Sequence, residues 1–187
     1  MHNTSTSLLD RLKHAGNEDA WQRFVDLYTP LLYLWARQIG LQPSDAADLV
    51  QDVLSLLVVK LPEFHYDPSR SFRAWLRTVT LNKWRENHRR ADVIARADAR
   101  DLPTIAEPDN VAHFWNQEYR QHLVERATQL MRAEFQPVTW KAFWETVTHA
   151  RPPAEVAREL GISVNAVYIA RSRVLHRLKQ ELNGLLE

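Results

Sequence analysis

Cysteine is absent from the 187 residues, and glycine is scarce, with only four positions. Without cysteine the chain has no disulfide framework, no thiolate metal site and no cysteine nucleophile, which fits a reducing compartment. The glycines all lie at or near predicted helix ends, so a glycine-rich phosphate loop cannot be built. No apolar run reaches the length of a membrane span or a signal core. We therefore expect a cytoplasmic, mainly helical protein without membrane insertion.

Sequence signatures of catalysis and of metal binding are also missing. The eight histidines are scattered, and they form neither an HExxH motif nor a pair four residues apart, whereas a metal site needs convergent ligands. No pair of acidic residues has a context that suggests general acid and base roles, and the GxSxG elbow is absent. The sequence thus predicts a protein without catalytic activity, bound metal or cofactor.

The net charge is only +1, which is low for an independent DNA-binding domain because phosphate neutralisation supplies most non-specific affinity. The charges are nevertheless segregated along the chain. Between residues 44 and 67 five acids face a single lysine, whereas between residues 70 and 90 seven basic residues face a single glutamate. Segments of opposite charge favour two different partners.

The segment from Pro153 to Leu182 predicts a helix-turn-helix. Ala157 allows two helices to cross closely, and Gly161 can end the first helix in a left-handed cap. Ser163 is a suitable N-cap for the second helix. The buried side of that second helix is predicted to contain Val164, Val167, Ala170, Val174 and Leu178.

The opposite side of the second helix carries amide, hydroxyl and guanidinium groups, which suit base edges and phosphates. A helical hairpin with a solvated polar face is the alternative interpretation. The candidate DNA-contacting residues of this helix are Ser163, Asn165, Tyr168, Ile169, Arg171, Ser172, Arg173 and His176.

Two earlier helices carry the segregated charge. In a helix predicted over residues 45–61 and capped by Ser44, an acidic and amide face suits arginines of a partner, although an ordinary solvated face stays open. In the helix capped by Ser71, basic residues alternate with aromatic ones, as single-stranded DNA binding requires. The alternative there is core tryptophans, Trp75 and Trp84, beside a solvated basic face.

Two further stripes are predicted to be structural. Asn17 caps a long helix with a buried apolar face, in which Pro30 predicts a kink. Near the other end of the chain, an aromatic stripe predicts the core on which the helix-turn-helix packs. That stripe contains Trp140, Phe143, Trp144 and Val147.

The run DAADLVQDVLSLLVVKLPEF followed by FRAWLRTVTLNKWRENHRR resembles region two of the extracytoplasmic-function (ECF) sigma factors of the sigma-70 family, and the second half of the chain is similar to their region four. The resemblance extends from about Leu8 to Leu182. It implies an all-α fold of two small helical domains joined by a linker. Region 2 would occupy residues 1–92, the linker 93–113 and region 4 114–187.

The same resemblance implies a function in transcription initiation. Such a protein binds core RNA polymerase, recognises promoter DNA and promotes strand opening. The first alternative is an autonomous helix-turn-helix regulator that acts without polymerase, and another is a protein that binds polymerase but not DNA. Relatives are often covered by an anti-sigma factor, and nothing in the sequence identifies one for this chain.

Individual residues can be matched to the family pattern. Asp48, Gln51 and Asp52 match a DxxQD/E motif that binds the clamp helices of the large catalytic polymerase subunit. The helix that begins after Ser163 would read the upstream, minus-thirty-five element as double-stranded DNA. The residues implied in capture of a flipped base and of the unpaired minus-ten strand are His65, Tyr66, Arg77, Asn82, Lys83, Trp84, Arg85 and Arg89.

One departure from the pattern concerns the recognition helix. Relatives commonly carry a basic-Ser-Arg triplet just after the valine, whereas this chain has Tyr168-Ile169-Ala170 and places Arg171-Ser172-Arg173 three residues later. The family's polar contacts cannot therefore be transferred position by position, and the upstream DNA sequence stays open.

Overall fold

The structure is a computed structural model, which describes residues 7–13, 17–64, 71–95 and 114–186, with the backbone alone at 90–95 and 116. Every regular element in these ranges is a helix, so the predicted all-α fold is confirmed. The predicted linker lies almost entirely outside the described residues, as do His65 and Tyr66.

The first four helices are α1 (Leu8–Leu12), α2 (Glu18–Gln38), α3 (Pro43–Lys60) and α4 (Phe72–Ala95). A π-helical segment (Phe114–Glu118) then leads into α5 (Tyr119–Met131), and a 3-10 turn (Arg132–Glu134) follows it. The last three helices are α6 (Pro137–Val147), α7 (Pro153–Leu160) and α8 (Val164–Glu181).

The chain divides into two compact units. The N-terminal unit contains Leu8–Leu123 together with Gly184–Glu187, and the C-terminal unit contains Val124–Asn183 together with Met1–Ser7. The division therefore falls inside α5, ten residues after the sequence-based boundary at 113/114. The assignment of residues 1–92 to a region 2 and 114–187 to a region 4 stays a prediction.

The core of the N-terminal unit is aromatic. Phe72 is fully buried, and its ring centroid lies 6.2 Å from that of Phe24, 5.9 Å from that of Tyr28 and 5.5 Å from that of Phe64. The rings meet edge to face, an arrangement that aromatic quadrupoles favour. This cluster packs α4 against α2.

In the N-terminal unit, two of the three predicted helix N-caps are formed. The Asn17 side chain accepts a hydrogen bond from the Ala20 amide at 3.0 Å, and Ser71 Oγ accepts one from the Ala74 amide at 3.2 Å, so both caps are confirmed. The predicted Ser44 cap is wrong. Helix α3 begins at Pro43, because proline has no amide hydrogen to satisfy at the first helical position.

Helix α2 continues through Pro30 as a single element of 21 residues. The helix is therefore not broken at Pro30. The predicted kink, as a bend within the continuous helix, stays a prediction.

Two buried tyrosine hydroxyl groups form consecutive hydrogen bonds in the N-terminal unit. The Tyr119 hydroxyl donates to the Leu185 carbonyl oxygen at 2.8 Å, so Tyr28, whose hydroxyl oxygen lies 2.9 Å from that of Tyr119, is the donor to Tyr119. Burial raises the pKa of both phenols, which stay protonated as donors. Tyr119 at the start of α5 is thereby tied both to α2 and to the C-terminal residues.

The C-terminal unit contains the predicted helix-turn-helix, formed by α7 and α8. Gly161 adopts a left-handed conformation (φ 66°, ψ 31°), and the Ile162 amide donates to the Ala157 carbonyl at 3.0 Å. Ser163 Oγ accepts a hydrogen bond from the Ala166 amide at 3.1 Å. The predicted glycine cap and serine N-cap are both confirmed.

Small residues form the core at the crossing of α7 and α8. Ala157 and Val167 are buried there, together with Val156 and Ala170. Val174 is also buried, as predicted, and Leu178 is half-buried. The prediction for Val164 is wrong, because the first residue of α8 lies in the solvated first turn and is 40% exposed.

Candidate nucleic-acid interface

The acidic face of α3, which we define as Asp48, Gln51 and Asp52, is accessible to a partner. Asp48 and Gln51 are exposed, and the Asp52 side chain retains 46% of its accessible surface. Gln51 and Asp52 both lie about one turn after Asp48, so the carboxylate and amide oxygens of the three residues lie on one side of the helix. Such an arrangement suits guanidinium groups, which donate several hydrogen bonds at once.

Asp52 also has contacts within the unit. Its Oδ2 accepts a hydrogen bond from the Asn87 amide nitrogen at 2.7 Å and lies 3.9 Å from Lys83 Nζ. Both partners are on α4, so this carboxylate helps to hold α3 against α4. Asp48, in contrast, extends from α3 at a fully exposed position.

The basic face of α4 is the second surface, and its predicted members differ in exposure. Lys83 keeps only 16% of its side-chain surface and lies 3.4 Å from Glu86, so its charge is partly neutralised within the protein. The fully exposed members are Asn82 and Arg89, and the half-buried ones are Arg77, Lys83 and Arg85.

Trp84 is a core residue. It is 6% exposed, and its ring packs 5.8 Å from that of His88 at an interplanar angle of 35°. An unpaired base could stack on Trp84 only if the indole left this position. The Trp84 ring therefore offers no open face to a nucleic acid, whereas the exposed residues of α4 offer cations and hydrogen-bonding groups.

The outward face of α8 is exposed along three turns. It contains no acidic residue between positions 163 and 180, so its polar groups are neutral or basic. Two large side chains in it are apolar or aromatic, Ile169 at 42% and Tyr168 at 53% exposure. All eight predicted upstream residues are exposed, namely Ser163, Asn165, Tyr168, Ile169, Arg171, Ser172, Arg173 and His176.

An ion-pair cluster holds α6, the following turn and α7 together. Arg151 Nη1 lies 3.1 Å from a Glu145 oxygen and 2.8 Å from a Glu159 oxygen, and Lys141 Nζ lies 2.8 Å from Glu159. The hydrogen bonds from Lys141 and then Arg151 lower the pKa of Glu159, and those from Arg151 and then His149 lower the pKa of Glu145. The cluster orients α7, on which α8 rests.

Within the ranges that the structure describes, histidine and acidic side chains form no group of three that could hold a metal ion. Among the same residues, no helix combines the length and the apolar character needed to cross a membrane.

Comparison with known proteins places these surfaces in a family. Residues 24–93, which include the acidic face of α3 and the exposed residues of α4, match the family model for sigma-70 region 2. The RNA polymerase sigma factor CnrH of Cupriavidus metallidurans is 37% identical over 75 residues, which cover 40% of this chain and 38% of CnrH. The ECF RNA polymerase sigma factor SigL of Mycobacterium tuberculosis is 29% identical over 160 residues, which cover 82% of this chain and 84% of SigL.

Residues 24–93 are thus similar to sigma-70 region 2, and the chain as a whole is similar to ECF RNA polymerase sigma factors. A solved structure of CnrH in complex with the cytosolic domain of CnrY aligns over 92% of each chain, with 24% identity and a TM-score of 0.36.

The structure also shows a groove in the C-terminal unit that the sequence did not predict. Of the aromatic stripe of α6 that was expected to be core, Phe143 is buried as predicted, but Trp144 and Val147 are 37% and 39% exposed. They line a groove of about 1110 Å³ with residues of α5 and α8, including Leu175. The helix-turn-helix packs instead on Ala142, which is fully buried. Alanine carries little hydrophobic signal in a sequence, so this contact was not predictable from the pattern of large side chains.

Proposed function

We propose that this protein is an ECF sigma factor, which joins core RNA polymerase in the cytoplasm, recognises promoter DNA and promotes strand opening at the start of transcription. The observation that carries the proposal is the presence of two surfaces of opposite charge on α3 and α4, inside the segment that matches sigma-70 region 2. Opposite charge on neighbouring helices suits one protein partner and one nucleic-acid partner.

The acidic face of α3 is the proposed polymerase contact. Asp48 and Gln51 are exposed and lie one helical turn apart, so a partner helix that presents arginines could bind both. By resemblance to the family, the partner surface is the clamp helices of the large catalytic subunit. The acidic charge also disfavours DNA at this position, which keeps the two partners apart.

The basic face of α4 is the proposed contact for the minus-ten strand. Arg89 and Asn82 are exposed and can reach phosphates and bases directly. Flipping a base costs a few kcal/mol, and stacking on an aromatic ring returns about 1–3 kcal/mol per base. Since Trp84 is buried, the proposed stacking residue is Tyr66, which lies outside the described residues.

The outward face of α8 is the proposed contact for the minus-thirty-five element. Its N-terminal turns are exposed and free of acids, as a recognition helix in the major groove requires. On this proposal the protein needs no catalytic activity of its own, because binding energy and the polymerase together open the DNA. An anti-sigma factor that covers one of these surfaces is a further proposed partner, by resemblance to the family alone.

Reconstitution with core RNA polymerase tests the docking step. We expect Asp48→Ala combined with Gln51→Ala to weaken association with core polymerase by about tenfold or more, since hydrogen bonds to charged groups contribute roughly 1.5–3 kcal/mol. Asp19→Ala is the matched control, because Asp19 is an exposed acid of the same unit that lies on α2. Equal binding by both variants would contradict this docking surface.

Transcription from promoter fragments tests the whole function and separates its rivals. Core polymerase with the wild-type chain should give promoter-dependent transcripts, and Arg171→Ala with Arg173→Ala should reduce them. Arg132→Ala, an exposed arginine of the same unit but outside α8, serves as the control. Tight, salt-sensitive binding to a palindromic site without polymerase would instead favour an autonomous regulator. Polymerase binding that never depends on Arg171 or Arg173 would favour a partner that does not touch DNA.

A further inference from the structure

The outward face of α8 contains a large apolar side chain where a polar one would be expected. Ile169 is 42% exposed although isoleucine is normally buried, and it lies at the centre of the face. At 100° per residue its direction falls between those of Asn165 and Arg173, one turn before and one turn after it. Ile169 is therefore surrounded by hydrogen-bonding side chains that suit DNA.

Among the described residues of the C-terminal unit, Ile169 belongs neither to the buried core nor to the apolar groove. The core at the helix crossing is completed by Val167 and Ala170, which are buried on the other side of α8. The apolar groove lined by Trp144 and Leu175 does not include Ile169. The Ile169 side chain therefore belongs to neither apolar cluster.

The charge around Ile169 favours DNA over a protein as the molecule that covers it. No acidic residue occurs between positions 163 and 180, while Arg171 and Arg173 lie within four residues of Ile169 and both are exposed. Phosphates are attracted to such a surface. Within the major groove only one group is apolar, the C5-methyl of thymine, which side chains recognise by direct contact.

We propose that Ile169 is a specificity-determining residue, which reads the methyl group of one thymine in the upstream element. The inference rests on the proposed function and deepens it, since it names a base that the recognition helix selects. Asn165 and Arg173 would flank that contact with hydrogen bonds to neighbouring base edges or phosphates. Tyr168 lies toward the edge of the face, beside Leu175 and Lys179, in a shallow depression rather than at its centre.

The test uses core polymerase with the full chain and a promoter library randomised in the upstream element. Selection with the wild-type chain should enrich thymine at one position. Replacement of that thymine by deoxyuridine removes only the methyl group, and we expect it to lower holoenzyme binding about fourfold, the value of one buried methyl. Ile169→Ala should bind the two DNAs equally.

Two variants separate this role from a general effect on α8. Ile169→Val keeps a branched apolar side chain at the same position and should retain most of the preference for thymine over uracil. Leu175→Ala removes another exposed apolar side chain of α8, 38% exposed, and should retain all of it. Circular dichroism verifies that each variant is folded, which is expected because these side chains are exposed.

Each other outcome has a definite meaning. A wild-type holoenzyme that never distinguishes thymine from uracil, or one whose preference survives Ile169→Ala, overturns the inference and leaves the proposed function intact. Loss of core polymerase binding in Ile169→Ala, with an unchanged base preference, shows that Ile169 contacts protein and also overturns it. Absence of any promoter-dependent transcript refutes the proposed function, and the inference with it.

Discussion

The two units of this protein are stabilised by side chains of different size. The N-terminal unit is held by large aromatic rings, with Phe72 in contact with rings of Phe24, Tyr28 and Phe64. The helix-turn-helix of the C-terminal unit is held by small residues, such as Ala157 and Ala170, and by one glycine turn. The difference determines how each unit should respond to mutation.

The largest effect is expected from an aromatic truncation in the N-terminal unit. Phe72→Ala should lower the free energy of unfolding by about 3–5 kcal/mol, because it removes a fully buried ring and leaves a cavity. Val156→Ala in the C-terminal unit should cost only about 1.6 kcal/mol, the value of two buried methyl groups. Denaturant titration with hydrogen exchange, which assigns each loss to its unit, measures the difference. Equal costs would contradict the comparison.

The next effect concerns the glycine turn. Gly161→Ala should destabilise the C-terminal unit by about 1–2 kcal/mol, since alanine resists the left-handed conformation observed there. A Cβ atom at this position would meet nothing within 4 Å, so the cost is one of backbone conformation and not of crowding. Gly161→Asn is the matched variant, because asparagine tolerates that conformation better and should cost less. Thermal unfolding monitored by circular dichroism would show whether the order is reversed.

The loss of a helix N-cap should destabilise the two units by similar amounts. Asn17→Ala in α2 and Ser163→Ala in α8 each remove one side-chain acceptor for a backbone amide, and each should cost about 1 kcal/mol. Ser44→Ala should have little effect, because Ser44 does not cap α3. Parallel urea titrations of the three variants test this. A large loss for Ser44→Ala would show that the N-terminus of α3 depends on it after all.

The smallest effect is expected at the ion-pair cluster of the C-terminal unit. The pKa values of Glu145 and Glu159 lie below the ordinary value of 4.5, so these carboxylates stabilise the fold above that pH and lose their contribution as the pH falls through their folded-state pKa. Arg151→Ala should raise both pKa values toward 4.5, as measured by carboxyl-carbon NMR titration. Arg171→Ala, outside the cluster, should change neither. The aromatic cluster around Phe72 in the N-terminal unit contains no carboxylate, so its packing should not weaken in this way as the pH falls.

The sequence predicted the helix-turn-helix almost residue by residue, because each local signal there has a single structural outcome. Glycine at Gly161 allows the left-handed turn, and Ser163 caps the helix that follows. The one error on the buried side, Val164, arose from treating the first turn of α8 as if it were already packed. Periodicity identifies a face but does not show where the neighbouring helix begins to cover it.

The aromatic residues were harder to place. Trp84 was assigned to the DNA-contacting side although it is buried, and Trp144 to the core although it is 37% exposed. A tryptophan on a helix can be buried in the core or exposed for binding. Which of the two occurs depends on packing against helices that are distant in sequence. The exposure of Asp48 and Gln51 could be expected from the sequence, whereas the hydrogen bond between Asp52 and Asn87, 35 residues apart, could not.

Through that hydrogen bond, the Asp52 side chain on α3 also contributes to the packing of α3 against α4. A cation from a docking partner that approached Asp52 Oδ2 would compete there with the Asn87 amide and with the Lys83 ammonium group. Linkage is reciprocal, so any ligand that draws Lys83 away from Asp52 would in turn alter how strongly that carboxylate attracts its partner. A defect caused by replacing Asp52 would therefore report on α3 and α4 together, and Asp48 is the position at which docking can be measured by itself.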